Sequence, residues 1–140
     1  MPDFAALLSY GDEKEVTSTQ RHALGTPGRL ADGRKFRYAF SGEAIGAGQV
    51  VMQKNPTTTH DMDLATAAAA IGSRTITVTL EAGAATANQY QDGYANVNDG
   101  AGECHIYRIE SHPAAAASAT LVLTLKPGYE VAEALVAATS

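Results

Sequence analysis

The sequence predicts an all-β domain, a small β-barrel or sandwich of five to seven short strands joined by glycine-rich turns. Residues 75–80 and 120–125 place an aliphatic side chain at every second position, a period typical of half-buried strands. Between them, the Asn-Asp-Gly-Ala-Gly sequence at 98–102 indicates a hairpin turn that joins strands at 94–97 and 104–109. We expect at most one or two short helices.

The predicted strand at 104–109 carries apolar groups on both faces. Cys104 and Ile106 share one face, and Tyr107 and Ile109 share the other. A strand that is apolar on both faces lies inside a sandwich or barrel, or at an interface. Cys104 is accordingly expected to be a buried structural cysteine.

Three further segments complete the predicted domain, which spans residues 31–140. Phe36, Tyr38 and Phe40 alternate with other residues after the Asp-Gly turn at 32–33, which predicts a strand, and a second short strand is expected at 50–52. The alanine-rich stretch 61–71 predicts a helical turn or an extended linker. Residues 129–140 are equally compatible with a short helix and with a strand.

Residues 1–30 are predicted to form an extended N-terminal arm. The stretch from 11 to 29 is polar and is interrupted by Gly25, Pro27 and Gly28, which break regular elements. An arm of this kind is poorly ordered in an isolated monomer and lies on a neighbour in an assembly.

Composition and charge exclude several classes of function. The chain has 140 residues, a net charge of −5 and a pI of about 5.2, so neither nucleic acid nor an anionic membrane is expected as a partner. Only 18% of the residues are charged, below the usual quarter, and a surface with few charges is easier to bury against another protein.

Cellular location is also constrained by the sequence. A single cysteine, Cys104, cannot form an internal disulfide, which favours synthesis in a reducing compartment. The N-terminus lacks the basic and apolar regions of a signal peptide, and no apolar run reaches the roughly 20 residues of a membrane span.

No motif predicts catalysis, a cofactor or a metal. The four histidines lack the spacing of a helical zinc site, and neither a nucleophile elbow nor a phosphate-binding loop is present. His60, beside Asp61 and Asp63, is best interpreted as part of a solvated loop. The acidic residues between Asp92 and Glu103 could hold calcium, but Asx-Gly turns account for them better.

Two segments resemble a known family. Residues 24–51 have the form of the opening of small head proteins of tailed bacteriophages: a Gly-Thr segment, Asp-Gly-Arg, an aromatic strand, a glycine turn and Gly-Gln. Residues 75–125 are similar to structural proteins of marine phages, and keep the order DGY, NDGxGE, YRI and HPAAAA. Together these segments cover about half of the chain.

The resemblance implies a virion protein, a decoration or cement protein on the outer capsid surface that is made in the host cytoplasm. Its implied partners are the major capsid protein and further copies of the chain, with a trimer favoured and a dimer possible. For the arm residues, contact with a partner is favoured over packing in the core. For the strand aromatics, packing in the core is favoured over contact with a partner. The candidate contact residues are Phe4, Leu7, Leu8, Tyr10, Arg29, Arg34, Phe36 and Tyr38.

Other functions remain open at this point. A tail-tube or head-completion protein would assemble as a ring, and a glycan-binding module would expose aromatics along a groove, although tryptophan is absent. A small hydrolase would need two titratable groups that converge in a pocket. The basic patch of Arg29, Arg34, Lys35 and Arg37 is either a solvated face or a surface for an acidic partner.

Overall fold

The computed structural model describes residues 6–46, 57, 59–60 and 63–137. In these ranges the chain forms seven β-strands, and its one helical element is a 3₁₀ turn at Asp12–Lys14. The strands form a three-stranded and a four-stranded sheet. The all-β class predicted from sequence is therefore confirmed. The chain divides into two compact units, Met1–Met52 and Gln53–Ser140, which are called unit 1 and unit 2 below.

Unit 1 contains the strands β1 (Ala6–Leu8), β2 (Pro27–Leu30) and β3 (Lys35–Arg37). β2 lies in the centre, parallel to β1 and antiparallel to β3. The turn between β2 and β3 is stabilised by the Asp32 carboxylate, which accepts hydrogen bonds from the backbone N–H and the Nε of Arg34. Gly33 adopts a φ of 91°, which favours glycine.

The stretch predicted as an extended arm contributes two of these three strands. β1 and β2 lie within residues 1–30, and they pair with β3 beyond the predicted boundary. The compact unit to which they belong ends at Met52 instead of at residue 30. β1 and β2 contain three and four residues, respectively. Strands this short have too few positions for a hydrophobic period to be recognised in the sequence.

Unit 2 contains β4 (Thr75–Thr79), β5 (Tyr94–Asn96), β6 (Ile106–Ser111) and β7 (Thr120–Leu125) in the order β4-β7-β6-β5. All three pairings are antiparallel. One face of the sheet is apolar, because every second residue of β4 and β7 points into the core. Eleven buried hydrophobic side chains form this core in the described part of unit 2: Ile76, Val78, Leu80, Ala85, Tyr107, Ile109, Leu121, Leu123, Leu125, Val131 and Leu135.

The prediction for the outgoing hairpin strand was wrong on one face. Tyr107 and Ile109 are buried, as expected, but Ile106 is 55% exposed and Cys104 is exposed too. Cys104 lies in the turn before β6, at a φ of 70°, where its N–H bonds to the carbonyl of Val97. The left-handed turn directs the side chain away from the core.

The two ambiguous segments form neither helix nor strand in their described parts, 63–71 and 129–137. Thr66 forms an isolated bridge with Val78 of β4, and the bridge between Ala69 and Leu135 joins the two segments. Val131 and Leu135 are buried, so this tail closes the core of unit 2. The short strand predicted at 50–52 lies outside the described residues.

Candidate interaction surfaces

The register of the unit 1 sheet separates its side chains onto two faces, because directly opposed residues point the same way. Arg29 lies opposite Lys35, and Leu7 lies opposite Arg29 on the other side. With Arg37, which is two residues from Lys35, they form a surface that we call the basic face. All four side chains are exposed, and Leu7 retains 79% of its accessible area.

The opposite face of the sheet borders a groove of about 420 Å³. Leu8, Phe36 and Tyr38 line it, together with acidic and basic residues of the segment from 12 to 22. Arg37, at the end of β3, borders both this groove and the basic face. Gly28 lies at its base, where a Cβ atom would come within 2.6 Å of Leu8 Cδ1. The absence of a side chain at Gly28 thus lets β1 approach β2 closely.

Polar contacts fix the wall of the groove. The Arg21 guanidinium pairs with the Glu15 carboxylate at 2.6 Å, and the Arg21 N–H donates to the Tyr38 hydroxyl at 3.1 Å. The His22 ring packs edge-on against Tyr38, with 5.4 Å between the ring centroids. These contacts hold the half-buried Tyr38 side chain among polar groups. Such an arrangement suits contact with another protein.

Hydrogen bonds also bias the ionisation of exposed groups in unit 1. Backbone N–H groups at Glu13 and Gly11 lower the pKa of the Glu13 carboxyl. The Arg34 backbone N–H, and then its side chain, lower the pKa of Asp32. The Arg21 backbone N–H lowers the pKa of the Tyr38 hydroxyl. The two carboxylates therefore stay ionised to lower pH than free side chains do.

The charges of the basic face are not neutralised within the part of the chain that the structure describes. Arg29 and Lys35 form no ion pair there, and Arg37 donates to the neutral carbonyl of Gly25 at 2.8 Å. Like charges directly opposed on two strands destabilise the pairing, by roughly 0.2–1 kcal/mol. Arg34 differs, because it pairs with Asp32 at 2.8 Å and lies over the Phe36 ring.

The eight predicted contact residues divide between these surfaces. Leu8, Phe36 and Tyr38 meet at the groove, while Leu7 and Arg29 lie on the basic face. Tyr10 and Arg34 are exposed elsewhere on unit 1, and Phe4 lies outside the described residues.

The core packing favoured for the strand aromatics is not observed. Phe36 and Tyr38 are half-buried beside the groove, and Phe40 is 79% exposed. The strand ends at Arg37, so the alternation that predicted a longer strand does not place Phe40 over a core.

Unit 2 contains a histidine–tyrosine cluster that the sequence did not reveal. His60 bonds through its two ring nitrogens to the Tyr90 hydroxyl and to the Gly83 carbonyl. His112 is 3% exposed, and its Nε2 accepts the backbone N–H of Tyr90 at 2.9 Å. The solvated loop expected for His60 was therefore wrong, because its ring is held between two other loops. Burial raises the pKa of the Tyr90 hydroxyl.

A buried ionic group connects three elements of unit 2. The Asp92 side chain is 2% exposed and pairs with Lys126 after β7 and with Arg108 on β6, the latter at 3.9 Å. The charge of Asp92, one of the acidic residues that could hold calcium, is compensated by side chains of the protein. Among the residues that the structure describes, no group of three or more His, Cys, Asp or Glu could hold a metal ion.

Four exposed carboxylates gather at one end of unit 2, which we call the acidic end. Asp99 and Glu103 lie in the turn that follows β5, and Asn98 of that turn bonds to Asp63 at 2.6 Å. Gly102 lies against the backbone of Glu133 and the side chain of Leu135. Within the described ranges, none of these four carboxylates forms an ion pair.

No protein-family model matches the chain, and no curated protein and no solved structure is significantly similar to it. In the described ranges, no helix is both long and apolar enough to cross a membrane.

Proposed function

We propose that this chain is a virion structural protein, a decoration protein that binds the outer surface of a tailed-phage capsid and stabilises the mature head. The observation that carries the proposal is the exposed apolar surface of unit 1. Of its described residues only Gly28 and Leu30 are buried, while Leu7, Tyr10, Val16 and Phe40 remain exposed. A sheet with this little core gains stability when a partner covers it.

The resemblance of residues 24–51 and 75–125 to phage head and structural proteins supports the same function. Both segments contribute to the elements described above: the first includes β2 and β3, and the second includes the four strands of unit 2. The major capsid protein is the proposed partner, and unit 1 supplies the proposed contact surface through its groove and its exposed apolar side chains.

Capsid stabilisation needs no strong single contact. A protein that binds the expanded lattice better than the unexpanded one stabilises the expanded state by the difference in binding free energy. Many copies, each in contact with two or three capsid subunits, add their contributions. Catalytic residues, a cofactor and a metal are not part of this proposal.

Co-sedimentation with purified heads tests the proposal. We expect saturable binding to mature heads at a fixed ratio to the capsid protein, and weaker binding to unexpanded heads. Binding to neither form would contradict the proposal and would favour a tail or head-completion protein.

Two matched variants locate the contact surface. Leu7→Ser removes an exposed apolar side chain from unit 1, and Ile106→Ser removes one from unit 2. We expect Leu7→Ser to weaken head binding at least tenfold and Ile106→Ser to leave it unchanged, with the thermal stability of both variants close to that of the unmodified protein. The reverse result would move the contact to unit 2.

A further inference from the structure

The charges of the chain are distributed unequally between its two units. Residues 1–52 carry six Lys or Arg and six Asp or Glu, and residues 53–140 carry four and nine. The whole net charge of −5 therefore belongs to unit 2. Each copy of this chain therefore has both an acidic surface and a basic surface that are available to a second copy.

Each described Lys or Arg of unit 2 forms an ion pair within the unit. Arg74 pairs with Glu110, and both Arg108 and Lys126 pair with Asp92. The carboxylates of the acidic end are left without a described cation, and they project into solvent around one turn. Repulsion among them is relieved when a cationic surface approaches.

Unit 1 carries equal numbers of cations and carboxylates, but three of its cations form a regular array. Arg21 and Arg34 are paired with Glu15 and Asp32, respectively, whereas the three cations of the basic face have no described acidic partner. Those three side chains lie on two adjacent strands, so they form a regular array with Leu7 at its side. An array of this kind fits the surface of a folded partner with several carboxylates.

We infer that the protein associates with itself head to tail, with the basic face of one copy docked on the acidic end of the next. The charges are complementary in sign and similar in number, three cations against four carboxylates. Val136, which is 62% exposed and follows the buried Leu135, gives the acidic end an apolar neighbour that corresponds to Leu7. Such a contact uses two different surfaces, so it generates a closed ring or an open chain.

The biological use of this contact rests on the proposed function, since a decoration protein that assembles on a lattice benefits from contacts between its own copies. The contact itself is testable in solution without heads. A different role is known for cations on edge strands, namely the prevention of sheet-to-sheet aggregation. That role predicts no effect of these cations on the mass of the protein in solution.

Charge reversal in pairs tests the inference. One variant carries Arg29→Glu and Lys35→Glu, a second carries Glu103→Lys and Glu133→Lys, and a third carries all four substitutions. Analytical ultracentrifugation over a range of protein concentrations measures the association, and circular dichroism checks that each variant is folded. The control variant, Glu43→Lys with Glu81→Lys, changes the net charge as the second variant does but at exposed positions outside both surfaces.

We expect the unmodified protein to associate, and to do so at least tenfold more weakly when the ionic strength rises from about 0.1 M to about 1 M, where the Debye length falls from roughly 10 Å to 3 Å. Each two-site variant should be monomeric, and the control should associate like the unmodified protein. The four-site variant should stay monomeric, because reversal of two charges leaves the acidic end neutral, with two lysines beside Asp63 and Asp99. An equimolar mixture of the two-site variants should associate, since the basic face of the second variant and the acidic end of the first are unchanged.

Three results would overturn the inference: an unmodified protein that is monomeric at every concentration, a two-site variant that associates normally, or an equimolar mixture of the two-site variants that stays monomeric while both are folded. Head binding separates the two proposals. If the unmodified protein is monomeric and Arg29→Glu with Lys35→Glu abolishes head binding, the basic face serves the capsid and self-association is excluded. If association follows the expected pattern but heads are not bound, the proposed function fails and the contact between copies remains.

Discussion

Units 1 and 2 both consist of short strands in a small sheet, yet they differ in how they are stabilised. In unit 2 the described residues include eleven buried hydrophobic side chains that belong to one cluster. In unit 1 Leu30 is the one large side chain that is fully buried among those described. Turn hydrogen bonds and exposed ion pairs hold the rest of unit 1, and each such ion pair contributes about 0–1 kcal/mol.

This difference suggests that the two units have different roles. A fully buried aliphatic side chain contributes roughly 1.5–3 kcal/mol, so the buried cluster supplies most of the hydrophobic stabilisation in the described part of unit 2. Unit 1 keeps its apolar and cationic side chains available, as a contact surface requires. The following predictions perturb one unit at a time, and each tests whether the two units respond differently.

The largest loss of stability is expected from Leu125→Ala in β7. Leu125 is completely buried, so its truncation removes transfer free energy and leaves a cavity, at a cost of roughly 2–5 kcal/mol in the free energy of unfolding. Urea denaturation followed by circular dichroism measures this cost. Leu7→Ala is the matched control, because the same truncation at an exposed site in unit 1 should change the free energy by less than about 0.5 kcal/mol. Equal effects at the two sites would contradict the comparison.

Asp92→Asn is expected to follow, at roughly 1–3 kcal/mol. The substitution preserves the shape of the side chain but leaves Lys126 and Arg108 beside a buried neutral amide, so two cations lose their compensating charge. Thermal unfolding of the variant should begin at a lower temperature. Glu110→Gln removes an exposed pair with Arg74 and serves as the control, with an effect of about 1 kcal/mol or less. A neutral result for Asp92→Asn would show that the buried group does not stabilise unit 2.

The same contrast explains which parts of the fold the sequence could predict. β4 and β7 show a clear period of two because one face of each is buried and the other is not. β1 and β2 show no such period, since their pairing depends on Gly28 and on short parallel contacts rather than on a buried stripe. The proposal that unit 1 is a contact surface rests on the resemblance and not on periodicity.

Features made by several loops were beyond the reach of sequence patterns. His60, Tyr90 and His112 are far apart in the chain, and they meet because three loops converge. The exposure of Cys104 follows from a left-handed backbone conformation in its turn, which alternation along a strand cannot predict. The sequence shows the basic patch as a run of residues. It does not show that Arg34 is paired with Asp32 while the other three cations have no described acidic partner, because this distinction depends on the strand register.

Gly28→Ala tests whether unit 1 can change without affecting unit 2. The new Cβ atom would meet Leu8 Cδ1 at 2.6 Å, so the Leu8 side chain must shift and the groove must change shape. We expect a loss of roughly 1 kcal/mol that is confined to unit 1, together with weaker head binding. Hydrogen exchange should accelerate at β1 and β2 and stay unchanged at β4 and β7. Gly42→Ala, where no atom lies within 4 Å of the added carbon, provides the control.

The smallest expected effect is a loss of order in unit 1 at acidic pH. Hydrogen bonds lower the pKa values of Glu13 and Asp32 in the folded protein relative to their ordinary values of 4.5 and 3.8. A carboxyl whose pKa is lowered by folding stabilises the folded state fully above its ordinary pKa, and this contribution is lost as the pH falls through the lowered value. The protection factors of the Gly11 and Arg34 amides, which correct for the intrinsic pH dependence of exchange, should therefore fall below about pH 4 in the unmodified protein, and Asp32→Asn should remove this fall at Arg34 alone. If the protection factors at β4 and β7 fell over the same range, the acid response would belong to both units, and these two carboxylates would not account for it.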